Sequence, residues 1–215
     1  MKIIFLLLYF LFLIIDLIFI HFKLYNKRFF SKTLLMPILI LYYVFSSQNV
    51  LFLLIVALFM SFLGDVLLLF EERKIFFKLG LFSFLLSHIF YILTFLITSN
   101  FFKENTPSYI FIFLIPYILY GTYFYKFLFP EIEEFKKEIL IYIIVIILMS
   151  FITIPRIYIF PLKSSLLVFI GSILFILSDS TLALQIFKGK ISKNSIIIMI
   201  TYGLAQFLII QGFIY

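Results

Sequence analysis

Long apolar runs follow one another along this 215-residue chain, separated by short segments that hold charges, Pro, Asn or Ser. A helix that crosses the hydrocarbon core of a bilayer needs about 20 such residues. Hydrophobic residues make up 65% of the chain and charged residues 13%, so its helices can be apolar on every side, which a soluble domain does not tolerate. The pattern predicts an all-α polytopic membrane protein that forms a single integral membrane domain over residues 1–215.

The breaks between the runs predict a bundle of eight transmembrane helices. The first run contains Lys2 and Asp16 and lacks the small-residue cleavage site of a secretion signal, so we interpret it as a helix that stays in the protein. The predicted spans are residues 3–20, 34–48, 50–70, 75–97, 108–128, 138–154, 163–184 and 194–214.

The distribution of the 17 Lys and Arg residues predicts the orientation of these helices. Basic residues concentrate in the first, third, fifth and seventh loops, and the opposite side holds Lys2, Lys103, Arg156 and Lys163. Because basic loops stay in the cytoplasm, both termini are expected outside, in a multi-pass protein of the cell membrane, here the inner membrane of a bacterium. The net charge of +7 is then a topology signal that also attracts anionic lipids, and nucleic acid is not an expected partner.

The chain has no cysteine and two histidines. Disulfides, thiolate nucleophiles and thiolate-bound metals are therefore excluded, and we expect no metal and no other cofactor.

Two aspartates, Asp65 and Asp179, lie inside apolar runs, where a carboxylate is costly to bury. On the predicted topology both lie near the cytoplasmic end of a helix, at one depth, and we expect them to meet across a cavity in the inner leaflet. Structural pairing of each carboxylate with Ser, Tyr or Lys is the alternative interpretation.

Other polar residues occur in the fourth and eighth spans. Ser87 and Tyr91 flank His88 at a spacing of one helical turn, and Tyr202 and Gln206 have the same spacing. They are candidate neighbours of the aspartates. Each also has a simpler interpretation: His88 as a hydrogen-bonded packing residue, and Ser87 and Ser178 as helix-packing residues.

Asp65 precedes His88 by 23 residues, and Asp179 precedes Tyr202 by 23. If this spacing reflects an internal repeat, the protein consists of two four-helix halves with a site between them. A coincidence of one spacing is the alternative.

Three further polar residues lie close to the predicted cytoplasmic interface. We interpret Asp16 and His21 as structural residues that reach water, and Lys32 as a side chain that snorkels to the surface, with contact to a lipid phosphate as its alternative. The glycines of the spans predict close helix approach, which we expect at Gly64, Gly80, Gly171 and Gly203.

Five segments of the chain together resemble the YhhN family of multi-span membrane proteins, which includes the mammalian lysoplasmalogenases. They are KTLLMP, SFLGDVLLL, KLGLFSFLLSHIFY, GSILFILSDSTLAL and TYGLAQFLI, and they extend from the second helix to the last. The resemblance implies hydrolysis of the vinyl-ether bond of a lysoplasmalogen, with a lysophospholipid as substrate and membrane lipids as surroundings.

For such a reaction, we expect Asp65 and Asp179 to form the acid–base pair. We also expect substrate-binding residues on the fourth, seventh and eighth spans, namely His88, Tyr91, Ser178, Tyr202 and Gln206. Two other classes of protein fit the sequence: a small transporter or lipid-handling protein whose aspartates relay protons, and a membrane scaffold without catalysis.

Overall fold

In the computed structural model, residues 2–99, 107–132, 134–189 and 194–215 are described, and within these ranges the chain forms eight α-helices and no strand. Three lysines used for the predicted orientation lie outside these ranges: Lys103 on the predicted outer side, and Lys190 and Lys193 in the predicted seventh loop. The helices are α1 (Lys2–His21), α2 (Arg28–Ser46), α3 (Phe52–Leu68), α4 (Lys74–Ser99), α5 (Leu114–Leu128), α6 (Lys136–Phe151), α7 (Leu162–Lys188) and α8 (Asn194–Ile214).

The all-α prediction is confirmed within the described ranges, and the eight predicted spans each correspond to one helix. Seven helices are long and apolar enough to cross a membrane, if the 3₁₀ segments Ser108–Phe113 and Ile154–Tyr158 are counted with α5 and α6. The eighth, α3, has 17 residues, which is the lower limit for a spanning helix.

The predicted start of the second helix at residue 34 is wrong, because α2 begins at Arg28. The segment RFFSKT looks like a loop in the sequence because it carries charged and polar residues. In the structure, Arg28 and Lys32 on this segment contact carboxylates of α1 and α3, so the charges that suggested a loop are neutralised within the bundle.

The chain divides into two compact units. The first comprises residues 1–91 and Ile214, and the second comprises residues 92–213 and Tyr215. The division falls within α4, not in the connection between the fourth and fifth helices where two four-helix halves would separate. The prediction of one membrane domain stays a prediction.

In the first unit, α2 packs on both α1 and α3. The α3–α4 contact is close at Gly64, where an added Cβ atom would lie 2.6 Å from the Phe84 ring, and at Gly80, where it would lie 2.8 Å from Leu68. The hydroxyls of Ser61 and Ser87 hydrogen-bond across the same contact at 2.7 Å. The predicted packing roles of Gly64, Gly80 and Ser87 are therefore confirmed.

In the second unit, α5, α6 and α7 pack together, joined by hydroxyl contacts. The Ser150 hydroxyl of α6 lies 2.8 Å from Tyr117 of α5 and 2.8 Å from Ser172 of α7. Helix α8 packs closely on α7 at Gly171, where an added Cβ atom would lie 2.9 Å from the Ala205 carbonyl oxygen. This contact confirms the packing prediction for Gly171.

Candidate functional site

Asp65 lies three residues before the end of α3, and its side chain is 2% exposed. The Lys32 ammonium of α2 lies 3.4 Å from its Oδ1 atom. The prediction that Lys32 snorkels is wrong, because α2 starts before Lys32 and directs this side chain, which is 12% exposed, towards α3. The carboxylate is thereby compensated by a cation inside the helical bundle.

Asp16 forms a second ion pair beside the first. Its carboxylate accepts hydrogen bonds from Arg28 Nε at 3.3 Å, Arg28 Nη2 at 3.2 Å and the Ser31 hydroxyl at 2.8 Å. The prediction that Asp16 reaches water is wrong, because these contacts bury it completely. Arg28 and Lys32 are four residues apart, so one face of α2 presents two cations to carboxylates on α1 and α3.

The connection after α3 adds a further acidic group near these cations. The Glu71 residue is exposed, yet partial removal of water by the surrounding protein raises the pKa of its carboxyl. Lys32 and Arg28 act in the opposite direction and lower this pKa, but the effect of desolvation is larger. Lys32 thus lies in the field of both Asp65 and Glu71.

Tyr9 of α1 is fully buried and interacts electrostatically with Asp65. Sequence reasoning missed it, although Tyr9 precedes Asp16 by seven residues and therefore lies on the same face of α1. Tyr91 of α4, a predicted site residue, is also fully buried and interacts with Tyr9. The first unit therefore brings Tyr9, Lys32, Asp65 and Tyr91 into one group of interacting residues.

His88, another predicted site residue, lies in the first unit and is fully buried on α4. Its neighbour Ser87 donates a hydrogen bond to the Ala57 carbonyl oxygen at 2.8 Å, in addition to its contact with Ser61. Ser87 is thus used for packing of α3 against α4, and the substrate-binding role of His88 stays a prediction.

Asp179 lies in the second unit and is half-buried on α7. The Tyr142 hydroxyl of α6 donates a hydrogen bond to its Oδ2 atom at 2.5 Å. The adjacent Ser180 hydroxyl lies 2.5 Å from that of Tyr120 on α5. Sequence reasoning missed both tyrosines, because 14 tyrosines in an apolar chain give no individual signal.

The other predicted residues of the second unit are buried where α7 meets α8. The Ser178 hydroxyl donates a hydrogen bond to the Ile198 carbonyl oxygen at 3.2 Å, which is a packing contact. The Tyr202 ring meets Phe175 edge-on at a centroid distance of 5.6 Å, and Gln206 is fully buried. Substrate binding by these three residues stays a prediction.

The two aspartates lie at different distances from the ends of their helices. Asp65 precedes Leu68 by three residues, about 5 Å along the axis, and Asp179 precedes Lys188 by nine residues, about 14 Å. The predicted end of the seventh span at residue 184 is wrong, because α7 continues to Lys188. The prediction that both aspartates lie at one depth in the membrane stays a prediction. The pairing of the two carboxylates across one cavity stays a prediction.

Comparison with known protein families gives a match over most of the chain. A model of the YhhN family matches residues 27–213, a range that includes Lys32, Asp65 and Asp179. Neither a curated protein nor a solved structure matches the chain. Because the family model covers most of the chain, from the start of α2 to the end of α8, this protein is a member of the YhhN family.

Proposed function

We propose that this protein is a membrane-embedded hydrolase that cleaves the vinyl-ether bond of lysoplasmalogens, giving a fatty aldehyde and a glycerophospho-alcohol such as glycerophosphoethanolamine. Membership of the YhhN family is consistent with this activity. The observation that carries the proposal is that each of the two aspartates is held by a polar side chain from another helix. Asp65 contacts the ammonium of Lys32, whereas Asp179 accepts a hydrogen bond from the neutral phenol of Tyr142.

The reaction needs both an acid and a base or cation-stabilising group. Protonation of the outer alkene carbon leaves a positive oxocarbenium centre on the carbon attached to oxygen. Water adds to this carbon and loses a proton, and the resulting hemiacetal collapses to the aldehyde and the alcohol. Two carboxyl groups can divide these tasks, as they do in glycoside hydrolysis.

The contacts of the two aspartates suggest which task each performs. The Lys32 ammonium lies 3.4 Å from Asp65 and compensates a charge there, so we assign to Asp65 the stabilisation of the oxocarbenium centre and the deprotonation of water. Donation of the proton to the alkene is then assigned to Asp179. The roles of His88, Tyr202 and Gln206 are to orient the water and the glycerophosphate group.

The experiment is an aldehyde-release assay with purified protein in liposomes that contain a lysoplasmalogen. Asp65→Asn and Asp179→Asn should each lower kcat by at least about 100-fold, the usual size of an acid–base contribution. The double variant should lose little more activity than the worse single variant, because groups that act as a unit are not additive.

Asp16→Asn is the matched control, since Asp16 is also buried and ion-paired but has no assigned chemistry. Folding of every variant is checked by its thermal unfolding. Full activity of a folded Asp65→Asn or Asp179→Asn protein would remove that residue from the mechanism, and an equal loss in Asp16→Asn would indicate a structural effect.

The same liposomes distinguish hydrolysis from transport. A hydrolase releases aldehyde in proportion to the protein and alters the mass of the lipid, whereas a transporter moves an intact lipid or a proton without a product. Movement of unchanged lipid, with no aldehyde and with loss of flux in Asp65→Asn, would favour the transporter and contradict the proposal.

A further inference from the structure

A long groove runs between α5 and α6 in the second unit. Its volume is about 630 Å³, within the range of small-molecule sites. The walls are almost wholly apolar and include Ile118 of α5 and Ile144 and Leu148 of α6. From Leu114 at one end to Lys126 at the other, the groove follows about 18 Å of α5.

The groove lies on a different face of α5 and α6 from the one that contacts α7. Tyr120 and Tyr142 hydrogen-bond to Ser180 and Asp179 of α7 and do not line the groove. Groove residues such as Ile118 are instead about half exposed. Exposed apolar side chains of helices in a membrane face the lipid chains, so the groove is open to the bilayer.

Two cations mark one end of the groove. Lys126 lines it near the end of α5, and the Lys136 ammonium at the start of α6 lies 4.2 Å from the ring centroid of Phe129, which also lines it. The basic loops predict that this end faces the cytoplasm, at the level of the lipid head groups. A lysine near that level attracts a phosphate.

We propose that this groove binds a lysophospholipid, with its single fatty chain between α5 and α6 and its phosphate against Lys126 and Lys136. The apolar length and the basic end match the two parts of such a molecule. The choice of a single-chain lipid rests on the proposed function. The binding site itself is separate from Asp179, since Tyr142 reaches Asp179 from another face of α6.

The test uses a lysophosphatidylethanolamine with a photoreactive diazirine in its fatty chain, incubated with the purified full-length protein in liposomes. After irradiation, mass spectrometry should find the label on peptides of α5 and α6, and unlabelled lysophosphatidylethanolamine should compete for it. Label spread over all helices in proportion to their exposed surface would overturn the proposal.

Variants make the test specific to the groove. Thr122 and Ile144 line it with exposed side chains, so Thr122→Trp or Ile144→Trp should fill it and reduce labelling at least tenfold without disturbing the core. Leu119→Trp is the matched control, because Leu119 is 66% exposed on α5 outside the groove. Unchanged labelling in both groove variants, or equal loss in the control, would overturn the proposal.

A separate competition experiment tests the contact between the groove and the lipid head group. Lys126→Gln should weaken competition by lysophosphatidylethanolamine and leave competition by a monoacylglycerol of the same chain length unchanged. The control is Lys137→Gln, because Lys137 is exposed and lies outside the groove; it should change neither competition. Equal competition by a two-chain phospholipid would overturn the single-chain assignment. Because labelling is measured without turnover, binding with no aldehyde release would contradict the proposed function and leave the groove in place.

Discussion

Lys32 and Asp65 form an ion pair in which Asp65 is buried and Lys32 is 12% exposed, and the charge of Asp65 decides its proposed role. Removing one partner of such a pair leaves the other charge uncompensated, at a cost of about 3–5 kcal/mol. Protonation of Asp65 would relieve that cost. Under the proposed function, we therefore predict that Lys32 is a positioning residue that keeps Asp65 charged. The sequence alone does not link residues 33 positions apart.

Infrared difference spectroscopy of the purified protein at neutral pH tests this role. Lys32→Gln should produce the carbonyl band of a protonated carboxyl group, because the ionised form of Asp65 loses its cation. Lys32→Arg should restore the spectrum of the unaltered protein and most of its aldehyde release.

The exposed Lys27 provides the control variant Lys27→Gln, which should leave the spectrum unchanged. Assignment requires that the new band disappear in the double variant Lys32→Gln, Asp65→Asn. A Lys32→Gln spectrum without the band would show that Asp65 does not depend on Lys32 for its charge.

Between helices, small residues decide how closely the elements pack. Gly212 of α8 lies close to α7: an added Cβ atom would lie 2.5 Å from Val168 and 2.8 Å from the Ser164 carbonyl oxygen. The carbonyl oxygen belongs to the backbone and cannot move aside. The Ser164 hydroxyl also donates a hydrogen bond to the Gly212 carbonyl oxygen. This contact holds α7, the helix that carries Asp179, against α8.

Gly212→Ala should therefore destabilise the protein by about 1–3 kcal/mol, the usual cost of overpacking. The measurement is the shift of the thermal unfolding midpoint in detergent. Gly189→Asn is the comparison, because Gly189 has a left-handed conformation that Asn tolerates and has open space around it. Equal midpoints for Gly212→Ala and the unaltered protein would contradict the close approach of α7 and α8.

For the molecule as a whole, the distribution of basic residues predicts which ends of the helices face the cytoplasm. Each predicted span corresponds to one helix, but the helices do not orient the bundle, because each of them fits the membrane in either direction. The orientation therefore stays a prediction.

A chain without cysteine makes this prediction simple to test, because each introduced thiol is the single one present. Gln48 and Glu72 lie in exposed loops at opposite ends of α3. Gln48→Cys should react with a membrane-impermeant maleimide in intact cells, and Glu72→Cys should react only after the membrane is permeabilised. The reverse pattern would invert the topology and place Asp65 near the outer surface.

The sequence by itself determined the helices, because an apolar run long enough to cross a bilayer must satisfy its backbone hydrogen bonds internally, and a helix does so. It also drew attention to Asp65 and Asp179, since each is a charged residue inside a long apolar run. Only the tertiary structure decided their partners. Lys32 and Tyr142 contact these carboxylates from other helices, and Tyr9 interacts electrostatically with Asp65. Hydropathy along the chain carries no information about which helix faces lie against each other.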